Sequence, residues 1–453
     1  MQETWLDIFD LLLPPFYILL IFSYAQMVVN RNIKKKKHYR YLITALACKI
    51  VGGISLCIVY TYYYKGGDVT NYFLSTSTYV NVLLQGDFSK FFEMLDYRNN
   101  NVWDILGYNN TYGYFFFVPS DYYALFTVTI TIPFCLLGCK SFIVTTMLLS
   151  SFAFIGLWKL YEVFVDHFPD LAWQLAIAIF YIPSVFFWGS GILKDTYALS
   201  AIGFYIFGLY KFQILKQRRI KYLLMIVVSI IAFIYIKPYY FFALLPGSLI
   251  WILFQRLNKI RSSLLRVMAI PVLLTGTLFL VVGGLKVFGS YLGEYSLDLI
   301  LLKAVKTQQD LVREAYGTNS YNIGVFEPTI TGILSKLPSA LTLALFRPFI
   351  WDARNPVMAL SALENLFMIG FTLYILFKVK FTTLIKSLFS NPLLIFSFLF
   401  ALFFAFSVGL TTANYGALAR LKIPCIPFYL SSLFILYYLN KESFKKKRLA
   451  KRR

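Results

Sequence analysis

Asp68 stands in the string Tyr64-Lys-Gly-Gly-Asp-Val-Thr-Asn-Tyr-Phe73, directly after an apolar stretch and ahead of a long polar one. An ionisable group at a membrane edge is costly to bury, which makes it a functional candidate by default. Gly66 and Gly67 let the backbone bend there and come close to a ligand. Three more clusters mix charge with turn residues at the ends of apolar segments. They are Trp188-Gly-Ser-Gly-Ile-Leu-Lys194-Asp195, the stretch Leu345-Phe-Arg347-Pro-Phe-Ile-Trp351-Asp352-Ala-Arg354-Asn355 followed by Glu364, and Asn414-Tyr-Gly-Ala-Leu-Ala-Arg420-Leu-Lys422-Ile-Pro424-Cys-Ile-Pro427.

Carboxylates and cations gathered on one side of a membrane can transfer a group away from a phosphate-linked lipid. The carboxylate takes the proton of an incoming hydroxyl. Arginine and lysine hold the departing phosphate and offset its charge. A divalent metal, magnesium or manganese, bridging Asp68 and that phosphate is compatible with this set and not required by it. Plainer accounts compete. Lys194-Asp195 can be an interface pair, Arg347 and Arg420 can anchor lipid headgroups, and Glu364 can cap the arginines. His38 lies in a basic run, and both His38 and His167 read as solvated, without a role. The five cysteines sit in or beside apolar segments, so no disulfide framework is expected. Cys135 and Cys139 lack further zinc ligands nearby.

The elements that must position these residues follow from composition. Of 453 residues, 59% are hydrophobic and 14% charged, a balance that excludes a soluble domain of this size. Spans of about 20 residues are expected at 8–29, 41–62, 121–139, 141–163, 170–190, 194–212, 221–237, 240–255, 266–287, 358–378, 392–410 and 423–440. The fold expected is therefore all-α and polytopic, one transmembrane domain over 1–453 with about 12 membrane helices. The first segment, with Pro14 and Pro15 and no basic leader, reads as a retained span.

Net charge is +22, and its placement sets the orientation. The run Arg31-Asn-Ile-Lys-Lys-Lys-Lys-His-Tyr-Arg40, the 216–221 and 256–261 runs and the 441–453 tail are expected in the cytoplasm. Each adjoins a span, so contact with anionic lipid explains them and nucleic acid is not an expected partner. The outer side then carries two long, relatively acidic loops, 63–120 and 288–357. Interfacial helices are expected in both, at Phe73–Leu84, Phe88–Leu95, Leu297–Tyr316 and Thr329–Phe346. Counts of crossings from the two ends differ by one between 63 and 165, which leaves a half-span or re-entrant piece there. Lys49 falls mid-span and is expected to snorkel. The 34 tyrosines and 46 phenylalanines suit interfacial belts, and in loops they suit sugar-stacking platforms.

In order of features over about 70% of the chain, the sequence resembles the GT-C superfamily of membrane glycosyltransferases, in particular the family-39-like and protein-mannosyltransferase-like bacterial enzymes. Gly67-Asp68…Tyr72 matches that family's acidic first loop. Leu136-Leu-Gly138, Leu157-Trp-Lys-Leu-Tyr161, Ile182-Pro183 and Leu193-Lys194-Asp195 follow in its order, and Arg420-Leu-Lys422-Ile-Pro424-Cys-Ile-Pro427 resembles its terminal Arg-x-Arg-x-Pro-x-x-Pro. Two departures stand out: one aspartate where many members have an acidic pair, and Lys422 in place of the second arginine. The resemblance implies an inverting transferase that takes a sugar from a polyprenyl-phosphate-linked donor to a glycan or lipid acceptor. That chemistry would sit on the outer face of a bacterial inner membrane, in envelope polysaccharide assembly. It implies Asp68 as base or metal ligand and Asp195 as a second acid. Lys194, Arg347, Arg420 and Lys422 would contact the donor phosphate, with Tyr72, Arg354 and Glu364 in support. Rival readings are a Wzy-type polymerase or ligase, a lipid-linked glycan transporter, and a non-catalytic membrane scaffold. The absence of internal symmetry and of much buried mid-span charge weighs against transport.

Overall fold

A computed structural model of the chain describes residues 6–107, 111–257 and 321–450 apart from 322 and 325, with scattered positions between 268 and 306. The described residues are helical, with no strand among them. In chain order the first helices are α1 Ile8–Asn32, α2 Leu42–Ile58, α3 Asp68–Leu84, α4 Phe88–Leu95, α5 Val102–Leu106, α6 Tyr122–Leu137, α7 Phe142–His167, α8 Ala172–Ala176, α9 Pro183–Trp188, α10 Lys194–Leu209, α11 Ile220–Ile236 and α12 Tyr239–Leu257.

Among the described residues, five helices are long and apolar enough to cross a membrane: Ile8–Asn32, Lys37–Tyr63, Phe142–His167, Pro356–Lys378 and Pro392–Thr411. A sixth is added if Tyr415–Leu421 and Cys425–Ser443, bent by 64° at their break, count as one span. This differs from the twelve expected, for local reasons. At 1.5 Å per residue, α6 and α11 reach only about 24–26 Å, short of a hydrocarbon core of about 30 Å. The 170–190 stretch is cut into α8, a π-helical turn at Ile177–Tyr181 and α9, with Pro183 opening the last piece. The 266–287 span and the Leu297–Tyr316 helix lie outside the described residues.

The chain divides into two compact units. The first holds Met1–Glu162, Phe186–Leu209 and Arg219–Lys237; the second holds Val163–Val185, Tyr210–Arg218 and Pro238–Arg453.

In the first unit, the polar loop expected at 63–120 does contain helices, α3, α4 and α5. Gly66 and Gly67 have φ of +128° and +124°, a backbone region that glycine enters without strain. That turn ends the span and starts α3 at Asp68. α3 packs on α6, with Thr76 reaching the Val128 carbonyl, while its buried Tyr72 and Phe73 meet Phe117 and Phe142. Asp10 of α1 is buried; it accepts from the Ser141 hydroxyl at 2.6 Å and the Ile143 amide at 2.8 Å, which satisfies the open N-terminus of α7. Two expectations need correction here. Lys49 does not snorkel: it is 3% exposed, and its ammonium donates to the Gly189 carbonyl. His38 is not solvated but buried against Tyr39, Trp158 and Tyr161. Beside it Glu162 ties the basic run to α7, accepting from Lys36 at 3.2 Å, Tyr39 at 3.0 Å and Lys159 at 2.7 Å.

In the second unit, the Pro392–Thr411 helix packs against α12, the Leu337–Phe346 helix and the Cys425–Ala450 helix. The segment expected as one helix at Thr329–Phe346 is two, Ile330–Ser335 and Leu337–Phe346.

Helices α7 and α10 meet through glycines. A Cβ on Gly203 would run into the Gly156 carbonyl, and one on Gly156 into the Ser200 carbonyl. Small residues that let backbones approach are the main device of helix association in lipid. Gly203→Val is therefore expected to destabilise the protein by about 1–3 kcal/mol or to prevent its folding. Gly370→Ala, where an added Cβ meets nothing within 4 Å, should be nearly silent. Thermal melting of the two purified variants in detergent checks this.

Candidate functional site

The cluster in the first unit is built around a broken helix. α9 ends at Trp188 and α10 starts at Lys194, so the carbonyls of 189–191 lose their helical partners. Side chains supply new ones. Lys49 donates to Gly189, the Ser150 hydroxyl to Ser190 at 2.5 Å, and the Thr196 hydroxyl to Gly191 at 2.7 Å. Unwound backbone inside apolar protein is tolerated only when satisfied in this way. The turn so held delivers Lys194 and Asp195 at the first positions of α10.

These two neighbours do not pair with each other. Lys194 reaches Asp121 at 3.4 Å and lies 5.9 Å from the Tyr123 ring centre. Asp195 is fully buried and forms a hydrogen-bonded ion pair with Lys237, at the end of α11. Asp121 also caps α6, accepting from the Ala124 amide at 2.9 Å. The Lys194 ammonium lies within electrostatic reach of both Asp68 and Asp195. Asp68 is exposed at the start of α3. Three carboxylates and two ammoniums from four helices thus share one neighbourhood. Asp121 and Lys237 were not among the sequence candidates. Asp121 carries a readable signal, an aspartate just before an apolar helix at a capping position; Lys237, just before Pro238, carries none beyond its place at a turn.

Tyr72 is buried, 4% exposed, with its ring 4.6 Å from that of Phe117. Next to the cluster along the chain is an aromatic group. Tyr122 follows Asp121, and Tyr235 stands two residues before Lys237. The Arg98 guanidinium lies 4.7 Å from the Tyr235 ring centre and 5.8 Å from that of Tyr122. Tyr97 stacks on Tyr122. Burial pushes the Tyr97 phenol above its ordinary pKa, and the Arg98 charge works against that rise.

The second unit holds Arg347, Arg354, Glu364, Arg420 and Lys422. Glu364 does not cap the arginines; it accepts from the Ser184 amide at 2.9 Å and the Ser184 hydroxyl at 2.6 Å. Lys422 is 1% exposed and donates to Asn365 Oδ1 at 2.6 Å and the Arg347 carbonyl at 3.1 Å. Asn365 in turn donates to the Pro348 carbonyl at 2.9 Å. These bonds commit Lys422 to holding the 347–348 backbone. Arg347 donates to the Tyr415 hydroxyl at 2.8 Å and lies 3.7 Å from Asp352. Arg420 is half-buried and Arg354 exposed. Buried charge is thus more plentiful than the sequence led us to expect, with Lys49, Glu162, Asp195, Lys237, Glu364 and Lys422 all inside.

Among the described residues, no group of three or more His, Cys, Asp or Glu side chains is placed to hold a metal ion. The surroundings of Asp68 include the Lys194 ammonium, and no step below uses a divalent cation. No family model, curated protein or solved structure matches the chain.

Lys237→Ala would leave Asp195 buried without its counter-charge, at a cost of about 3–5 kcal/mol. Asp195→Leu combined with Lys237→Leu should recover most of that loss. Unfolding midpoints of the three proteins in detergent check both statements.

Proposed function

We propose that the chain is an integral membrane glycosyltransferase of GT-C type. It would move a sugar from a polyprenyl-phosphate-linked donor to a glycan or lipid acceptor, with inversion, in bacterial envelope polysaccharide assembly. In this reading the chemistry lies on the outer face of the inner membrane, with the basic C-terminal tail in the cytoplasm. The observation that carries it is the exposed Asp68 carboxylate facing the electrostatic reach of Lys194. Asp68 takes the proton of the acceptor hydroxyl, whose oxygen forms the new bond to the anomeric carbon. The bond from that carbon to the phosphate oxygen breaks, and the phosphate leaves with the electron pair. Lys194 offsets its charge, and Asp121 and the Asp195–Lys237 pair hold Lys194 in place. The reading assigns no step to Arg347, Arg420 or Lys422.

A second reading, transport of a lipid-linked glycan, is favoured by the buried charges, which in membrane proteins commonly mark substrate or ion pathways. The two part company on whether a glycosidic bond changes.

Purified protein in nanodiscs supplied with labelled polyprenyl-phosphate sugars should transfer the label, and Asp68→Asn should lower turnover by about 100-fold or more while remaining folded. Wild-type turnover in that variant would remove Asp68 from the chemistry. Transfer seen only with diphosphate-linked oligosaccharides would give the polymerase reading, and label crossing the bilayer unchanged would give transport.

A further inference from the structure

We propose that Arg98 and the tyrosines beneath it form a binding shelf for a phosphate-linked sugar, with the phosphate on the guanidinium and the sugar ring beside it, against the part of Tyr122 that stays exposed. Arg98 lies in the turn after α4 and is exposed. Its guanidinium sits over the Tyr235 ring at 4.7 Å and the Tyr122 ring at 5.8 Å. The bed continues below. Tyr97 stacks on Tyr122 with ring centres 6.5 Å apart, and Phe126 meets Tyr235 at 5.1 Å.

Three physical points lead to the ligand class. First, among the described residues no carboxylate makes an ion pair with Arg98, so its planar fork of donors is left to a ligand. That fork matches the oxygens of a phosphate two at a time. Stacking on the rings orients it without using those donors. Second, Tyr122 stays 43% exposed beside the guanidinium, and a tyrosine's apolar carbons with a polar tip suit the C–H groups of a sugar ring and its hydroxyls together. Third, the shelf is tied to the charged cluster through the chain. Tyr122 adjoins Asp121, the partner of Lys194, and Tyr235 is two residues from Lys237, the partner of Asp195. The shelf therefore stands on the same two helix ends, the start of α6 and the end of α11, that carry Asp121 and Lys237.

The ligand class rests on the transferase reading; the geometry of the shelf does not. The phosphate can come from a lipid-linked donor or from a free sugar phosphate, and the test separates the two. Calorimetric titration of the full chain in nanodiscs with a short-chain polyprenyl-phosphate hexose, and separately with hexose 1-phosphate, reads affinity without turnover. Arg98→Gln is expected to weaken binding about tenfold or more. Arg98→Lys, which keeps the charge and loses the fork, should fall between, and Tyr235→Leu should weaken binding where Tyr235→Phe does not. Loss confined to the lipid ligand identifies a lipid-linked source, and equal loss for both identifies the phosphate-linked sugar itself. Unchanged affinity in folded Arg98→Gln, or no wild-type binding of either probe, overturns the shelf. Arg98-dependent binding without sugar transfer would sink the transferase reading alone, and transfer with an unchanged KM in Arg98→Gln would sink the shelf alone.

Discussion

A break in a helix inside apolar protein strands backbone carbonyls where water cannot reach them, and everything at the candidate site follows from how this chain meets that demand. Between α9 and α10 the carbonyls of Gly189, Ser190 and Gly191 are each taken by a side chain, from Lys49, Ser150 and Thr196 respectively. Lys49 brings an amine into the first unit's interior for this purpose. An unmade bond to a buried peptide group costs on the order of 1–3 kcal/mol, so the turn is held from several directions. The close approach of α2 depends on the same economy of space: a Cβ on Gly52 would meet the Phe186 carbonyl, and one on Gly53 would meet Ser150.

Because the turn is fixed, the start of α10 is fixed, and with it the direction of two adjacent charges. Consecutive helix residues point about 100° apart. Lys194 and Asp195 therefore serve different neighbours, one toward Asp121 on α6 and the other toward Lys237 on α11. The buried Asp195–Lys237 pair is weak evidence of stability in itself, since desolvation offsets much of the attraction. Its consequence is positional. It fixes the end of α11, on which Tyr235 stands, while the Asp121–Lys194 pair fixes the start of α6, on which Tyr122 stands.

The second unit uses buried charge in the same manner and for a different segment. Asn365 and Lys422 together hold the backbone at Arg347 and Pro348, and Glu364 holds the start of α9 through Ser184. In both units some of the charged side chains buried in apolar helices are spent on backbone groups at breaks, Lys49 and Lys422 on carbonyls and Glu364 on the Ser184 amide. That use explains why residues that look like a substrate-contacting set in the sequence divide in the structure. Asp68 presents its charge at the surface and Lys194 keeps 16% of its side chain exposed, whereas Lys422 and Glu364 are committed internally.

The sequence by itself determined the membrane class, because hydropathy over some twenty residues is a local, additive property. It also determined that the 63–120 loop holds helices, with Phe88–Leu95 as α4, whereas α3 starts at Asp68, ahead of the expected Phe73. Only the tertiary structure decided the partners. Lys194 pairs 73 residues away and Asp195 pairs 42 away, and neither separation leaves a mark on the intervening residues. It decided likewise that Lys49 is buried on a carbonyl and that His38 is enclosed by rings. It also decided that several apolar segments stop short of a full span. Burial and pairing depend on which faces meet, and adjacency in space between distant segments is not encoded in any one window of the chain.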